Sequence, residues 1–252
     1  MYPDKPDRPL YGLFGRHLLH PLQILLTEVI KVKVSVVKNV LAANDRIAAD
    51  NRELFDKNKV YVINLMSSPG AGKTSLVERT ILALRDKYRI GVIEGDIQDT
   101  YDADRIAKLD IPVVQINTGG ACHIDGNMIR EALPVFDLSK TDLLIVENVG
   151  NLVCPAEFKI GENVKIMLLS TPEGADKPAK YPLMFQESAA LLINKIDLMP
   201  YVDFDLEKAK HDALSLHQDL KIFEVSCKAA TGLDGWIAWL TQRIDAFKKS
   251  RV

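Results

Sequence analysis

The sequence of 252 residues predicts an α/β fold, a mostly parallel sheet covered by helices on both faces. Three observations predict it. Apolar runs of strand length alternate with helical stretches from residue 60 onward. The first of these runs leads straight into Ser67-Ser68-Pro69-Gly70-Ala71-Gly72-Lys73-Thr74, a glycine turn that opens a helix. A later buried run ends in Asn194-Lys195-Ile196-Asp197. In sheets of this kind ligands bind beyond the carboxyl ends of the strands, and the chemistry-bearing motifs fall mainly there.

The elements follow in order. Residues 1–37 read as a partly ordered N-terminal extension, because Pro3, Pro6, Pro9, Gly12, Gly15 and Pro21 punctuate its start. Within it, 31–37 alternates as Lys-Val-Lys-Val-Ser-Val-Val, like a strand. Residues 39–57 hold no Gly or Pro and repeat Val40, Leu41, Ala43, Ile47 and Ala48 at helical spacing. Strands are expected over 60–66, 89–94, 113–117, 143–147, 164–170, 189–194 and 221–225. Helices are expected over 74–87, 102–109, 124–136, 178–187, 204–217 and 233–248. Residues 38–252 therefore read as a single domain.

Composition narrows the class. Hydrophobic residues are 47% and charged residues 26%, ordinary for a soluble globular protein. A net charge of −2 supplies no basic field for a nucleic-acid partner. The apolar stretch 18–40 contains Glu28, Lys31, Lys33 and Lys38, which break any run of about 18 residues, so no membrane span is expected. Three cysteines cannot all pair and no signal peptide is visible, which predicts a cytoplasmic protein with free thiols.

The segment 67–74 has the context of a phosphate-binding loop. Backbone N–H groups of Gly70, Ala71 and Gly72 can cradle an anion, helped by the helix dipole at Thr74 and Ser75. Lys73 can reach the outer phosphates, and the Thr74 hydroxyl can ligate Mg²⁺. Ser67 stands where the usual G-x-x-x-x-G-K-[ST] pattern has its first glycine. Asn194-Lys195-Ile196-Asp197 reads guanine, because the Asp197 carboxylate can accept both the ring N–H and the exocyclic amine, a donor pair adenine lacks. Asn194 and the Lys195 stem support the base, and Ser226-Cys227-Lys228 matches the loop that assists it, with Cys227 packing rather than ligating metal. The fold class is thus a P-loop NTPase, and the nucleotide GTP or GDP.

Two further strand ends carry acids. Asp96, in Glu94-Gly95-Asp96, can hold Mg²⁺ or its waters, and Asp102 and Asp104 follow in a stretch that is either a switch or a solvated helix start. Glu147-Asn148-Val149-Gly150 stands where many GTPases carry D-x-x-G, so Gly150 can approach the γ-phosphate and Glu147 a metal-bound water. Lys73, Asp96 and Glu147 are the candidate catalytic residues; Thr74, Asp96 and Glu147 are the candidate Mg²⁺ set. No water-positioning glutamine or arginine finger is evident, so slow intrinsic turnover is expected.

Cys122 and His123 lie side by side after a strand, and Cys154 follows Gly150 by four residues. Thiolate with imidazole suits Ni²⁺ or Zn²⁺ rather than Mg²⁺, although a lone cysteine is often only a small buried hydrophobe. Three ligands from one chain leave the shell incomplete, which a second copy sharing the site would complete. His17 and His20 read as surface or partly ordered histidines, and His211 and His217 have no assigned role.

Read together, residues 67–74, 94–96, 102–105, 118–123, 147–155 and 194–197 form an ordered series of motifs that closely resembles the HypB family, the hydrogenase nickel-incorporation GTPases of the SIMIBI class. The resemblance covers about residues 38–248, and Ser67 is usual in that family. It implies a GTP-hydrolysing nickel metallochaperone, GTP-dependent dimerisation, and nickel or zinc bound between subunits by Cys122, His123 and Cys154. It also implies two partners, a HypA-type nickel chaperone and the precursor of the nickel-iron hydrogenase large subunit. Some members carry an N-terminal cysteine cluster or histidine-rich tract; here no cysteine precedes Cys122 and only His17 and His20 come early. Two rival readings are a related GTPase for urease or a cobalamin-dependent mutase, and a non-enzymatic nickel store. Urease-type relatives typically show Cys-Pro-His, absent here, and the complete nucleotide motifs argue against a nickel store.

Overall fold

In the computed structural model of the protein, residues 40–96 and 101–250 are described. The expected extension 1–37, its strand-like tract, His17 and His20 lie outside the described residues. The expected first helix, α1, is described over 40–58.

Seven strands form one sheet: β1 (Tyr61–Ser67), β2 (Ile90–Asp96), β3 (Val113–Asn117), β4 (Leu143–Glu147), β5 (Val164–Ser170), β6 (Ser188–Asn194) and β7 (Lys221–Glu224). Their order is β3-β2-β4-β1-β5-β6-β7, and every ladder between them is parallel. The central strand β1 is buried along its whole length, as a parallel strand covered on both faces must be. Its side chains alternate. Ile63 and Leu65 join one core with Leu76, Ile81, Trp236 and Leu240, whereas Val62 joins another with Phe55, Ile124 and Ile129. On β5 the same alternation sends Ile166 to the first core and Met167 to a third, with Phe185 and Ala209.

The first core lies under α2 (Lys73–Leu84), α3 (Tyr101–Ala107) and α9 (Leu233–Ser250). The opposite face carries α1, α4 (Gly126–Ala132), α5 (Cys154–Glu157), α6 (Lys177–Lys180), α7 (Pro182–Gln186) and α8 (Leu206–Leu216). Two expected helices are interrupted, each for want of a proline N–H. The stretch 124–136 ends as an α-helix at Ala132 and tightens into the 3₁₀ turn Leu133–Val135, which contains Pro134. The stretch 178–187 splits into α6 and α7, with Pro182 opening the second. Asp125 and Asp205 cap α4 and α8, accepting from Met128 N and Lys208 N at 2.8 and 2.9 Å.

Helix α1 is fastened to two loops at the functional end of the sheet. Asn44 donates to Lys159 O and accepts from Gly126 N, both at 2.8 Å. Buried Asn51 donates to Gly126 O at 2.8 Å and Ile160 O at 3.2 Å. The Gly126 and Lys159–Ile160 backbones follow His123 and Cys154 respectively, so one helix steadies both segments.

Candidate nucleotide site and the adjoining thiol-imidazole cluster

The phosphate loop leaves the carboxyl end of β1, between β4 and β5. Gly70 and Gly72 take φ values of 72° and 101°, left-handed conformations that favour glycine. A Cβ on Gly72 would sit 2.6 Å from Asn194 Nδ2, so the loop and the base-reading segment are packed backbone to side chain. Ser67 is buried, and its hydroxyl accepts from Lys73 Nζ at 3.2 Å and donates to Ser68 O at 2.7 Å. The departure from glycine thus supplies a resting partner for the loop lysine. Buried Thr74 donates its hydroxyl to Glu147 Oε1 at 3.0 Å.

Asn194, Lys195, Asp197 and the Ser226–Lys228 loop, the residues expected to read the base, lie together next to the phosphate loop. Asn194 Nδ2 donates to Ala71 O at 2.9 Å, and Asn194 Oδ1 accepts from Cys227 N at 3.2 Å. Lys195 reaches back to Gly70 O at 2.6 Å. Asp197 Oδ1 accepts from Ser226 Oγ at 2.5 Å, which aims the carboxylate. Cys227 is buried in the core beside α2, and burial pushes its thiol up to about 11. Lys228 is exposed, and Arg79 of α2 donates to Cys227 O at 2.9 Å.

A cavity of about 230 Å³ opens at the phosphate loop, lined by Lys73, Glu94, Asp96, Asp102, Glu147 and Gly150. Gly150 packs so closely on the loop that a Cβ would lie 2.8 Å from Pro69. Glu94 is a residue of this cavity that sequence reasoning missed. It is the cross-strand neighbour of Glu147 in the β2–β4 register, and both side chains are buried. Burial first, and the other carboxyl second, pushes the Glu94 acid far up; burial also raises Glu147, against the pull of Lys73. Glu94 therefore keeps its proton and faces Glu147 as an acid beside a carboxylate; apart from that shared proton, no donor among the described residues reaches Glu94 Oε1 or Glu147 Oε2. Two buried carboxyls with no other partner for these oxygens, beside a threonine hydroxyl, form a hard oxygen donor set that suits Mg²⁺. Thr74, Glu147, Glu94 and Asp96 are the residues that would hold it, and it would neutralise charge on the outer phosphates. The register of two strands betrays Glu94; its own motif does not.

The second cluster lies on the neighbouring loops. Cys122 Sγ is 2.8 Å from Cys154 Sγ and 3.6 Å from His123 Nδ1. The three donor atoms fall within 4.8 Å of one another. His123 packs on Phe158, ring centroids 3.8 Å apart, and burial lowers its pKa, which keeps the imidazole neutral and able to ligate. Burial and the neighbouring Cys122 raise the Cys154 thiol to about 11, the cost of two thiols together without a cation. Cys122 is exposed and Cys154 partly buried, so the cluster is open to exchange. Asn148, wholly buried, joins the two sites: its Oδ1 accepts from Ile124 N at 3.0 Å and Val149 N at 2.9 Å, and its Nδ2 donates to Asn64 Oδ1 at 3.0 Å.

A parallel sheet with this phosphate loop and this base-reading segment defines a P-loop nucleotide-binding domain. The family model "CobW/HypB/UreG, nucleotide-binding domain" matches residues 61–224. The hydrogenase maturation factor HypB of Escherichia coli K12 is 46% identical over 206 residues, covering 81% of this chain and 71% of that protein. That of Azotobacter vinelandii is 44% identical over 217 residues, 86% of this chain and 72% of its own length. A crystal structure of HypB from Helicobacter pylori in complex with nickel is 39% identical, with a TM-score of 0.77 over 81% of this chain and 96% of that one. The chain belongs to the HypB family of hydrogenase maturation factors. Membership implies nucleotide hydrolysis. Among the described residues no helix is long and apolar enough to cross a membrane.

Proposed function

We propose that the chain is a GTP-hydrolysing nickel metallochaperone that delivers nickel to the precursor of nickel-iron hydrogenase. GTP binds with its phosphates over Gly70–Ser75 and its base on Asp197, flanked by Asn194, Lys195 and the Ser226–Lys228 loop. Lys73 offsets phosphate charge, and Thr74, Asp96, Glu147 and Glu94 serve Mg²⁺. Nickel, or zinc in its place, is held as cargo by Cys122, His123 and Cys154. Two chains meet in the GTP state and complete the metal shell; hydrolysis loosens it for handover, with a HypA-type chaperone as a further partner. The cycle runs in the cytoplasm.

The observation that carries this reading is the Asn148 bridge, which ties the strand end bearing Glu147 to the backbone beside His123. The buried amide gives a nucleotide-driven shift at Gly150 a hydrogen-bonded route to the loop that carries Cys122 and His123. The nickel-bound HypB from Helicobacter pylori supports nickel as the cargo. The experiment is nickel titration of the purified protein with GDP and with a non-hydrolysable GTP analogue. An affinity difference between the two states is expected; equal affinities would overturn the coupled reading.

A further inference from the structure

A second cleft, of about 610 Å³, opens on the other side of the phosphate loop, lined by Gly72, Ser75, Arg105, Asn194, Lys195 and Lys228. It runs between the loop that cradles the phosphates and the segment that reads the base. Whatever part of a nucleotide joins base to outer phosphates has to cross it: the ribose and the α-phosphate. Gly72, Ser75, Asn194, Lys195 and Lys228 are already placed in the nucleotide site; of the two arginines that also line the cleft, Arg79 donates to the Cys227 carbonyl, and Arg105, from α3, is the one set beside the first turn of α2.

The Arg105 guanidinium is aimed and held. Its Nε and one terminal nitrogen donate to the Glu78 carboxylate at 3.2 and 2.5 Å. That same nitrogen lies 3.4 Å from Ser75 Oγ, in the first turn of α2, and the other lies 3.4 Å from Asp102 Oδ1. A planar guanidinium grips a phosphate with two parallel N–H groups, and a fixed one does so with little further loss of freedom. Its hydrogen bond to the Ser75 hydroxyl sets it beside the helix N-terminus, where backbone N–H groups also attract anions. We propose that Arg105 binds the α-phosphate of the guanine nucleotide from α3, turning its donors from Asp102 and Ser75 to the ligand while Glu78 keeps it in place. This rests on the nucleotide reading above. It also makes α3, which begins five residues after Asp96 and is already tied to α2 through Glu78, a part of the nucleotide site.

The test measures binding of GDP, GMP and guanosine to the full chain by competition against a fluorescent GDP, in wild type, Arg105→Lys and Arg105→Gln. Both phosphorylated ligands should lose about tenfold affinity in Arg105→Gln and guanosine none, while Arg105→Lys should recover part of the loss. A fixed charge on α3 that served only to hold the fold would weaken all three ligands alike, and that result would overturn the proposal. So would unchanged GDP and GMP affinity in a variant whose circular dichroism and melting match wild type. If wild type itself fails to bind GDP, the nucleotide reading fails, and the two failures are told apart by that one measurement.

Discussion

Asn148 holds Ile124: its buried side-chain oxygen accepts the Ile124 backbone N–H at 3.0 Å, and Ile124 directly follows His123. The strand end that carries Glu147 and the loop that carries Cys122 and His123 therefore share one hydrogen-bonded joint. Replacing Asn148 by Ala strands the Ile124 N–H in the core, at a cost of about 1–3 kcal/mol in stability. Nickel affinity should then respond less to the change from GDP to a GTP analogue, while GDP affinity stays near wild type. Calorimetric titration of both ligands checks this; a variant that keeps the full nickel response removes Asn148 from the coupling.

Glu94 and Glu147 set up a second prediction. Glu94→Gln removes one of two facing buried carboxyls, so the protein without nucleotide should gain on the order of 1 kcal/mol in stability. The same change should weaken Mg²⁺-dependent GDP binding and slow hydrolysis, a gain in melting temperature paired with a loss of function. Thermal melts with and without Mg²⁺, alongside Mg²⁺ titration followed by bound fluorescent GDP, read both effects. A melting temperature that falls in the metal-free protein would mean that Glu94 is held by a stabilising partner instead.

The base and phosphate assignments are tested by two substitutions. Lys73→Ala should abolish hydrolysis, because developing phosphate charge loses its partner. Asp197→Asn should weaken GDP binding by at least tenfold and narrow the gap between guanine and adenine nucleotides. Equal wild-type affinity for ATP and GTP, by competition binding, would remove Asp197 from base recognition.

Asp142, at the opposite end of the sheet, predicts a pH dependence. Burial alone would raise its carboxyl, but Arg89, through three hydrogen bonds at 2.9 to 3.0 Å, and Lys248 of α9 at 2.5 Å hold it well below the usual carboxylate range. A depressed pKa gives stability that is present above the unfolded-state value and lost as pH falls toward the folded one. Asp142→Asn should therefore cost about 2 kcal/mol near neutral pH, with the gap from wild type closing as pH drops below the ordinary carboxylate range. Urea melts across pH check it; a gap that widens in acid would contradict the sign.

The middle of the sheet was legible because its strands are short buried runs that cannot be amphipathic, as β1 illustrates by being buried at every position, whereas the edge strands β3 and β7 are only partly covered. Helix ends were less so, because Pro134 and Pro182 stop helices at places that apolar spacing alone runs through. Contiguous motifs exposed the phosphate loop, the base-reading segment and the Cys122–His123 pair. Glu94, Asn148 and Arg105 stayed hidden for a common reason. Each acts on a residue brought near by strand register or helix packing, Glu147, Ile124 and Ser75 respectively, and no local pattern records that pairing.

Control of the metal at Cys122, His123 and Cys154 by nucleotide state is what sets a metallochaperone apart from a plain GTPase. Nickel titration of wild type, Cys122→Ala and Cys154→Ala, each with GDP and with a GTP analogue and with mass followed by light scattering, tests it most directly. Wild-type nickel affinity should differ at least tenfold between the two states, about 1.4 kcal/mol of coupling, with dimers in the GTP state. Both variants should lose nickel and keep GTP. Variants that hold nickel as tightly as wild type, or a wild type whose nickel affinity and mass ignore the nucleotide, would contradict it.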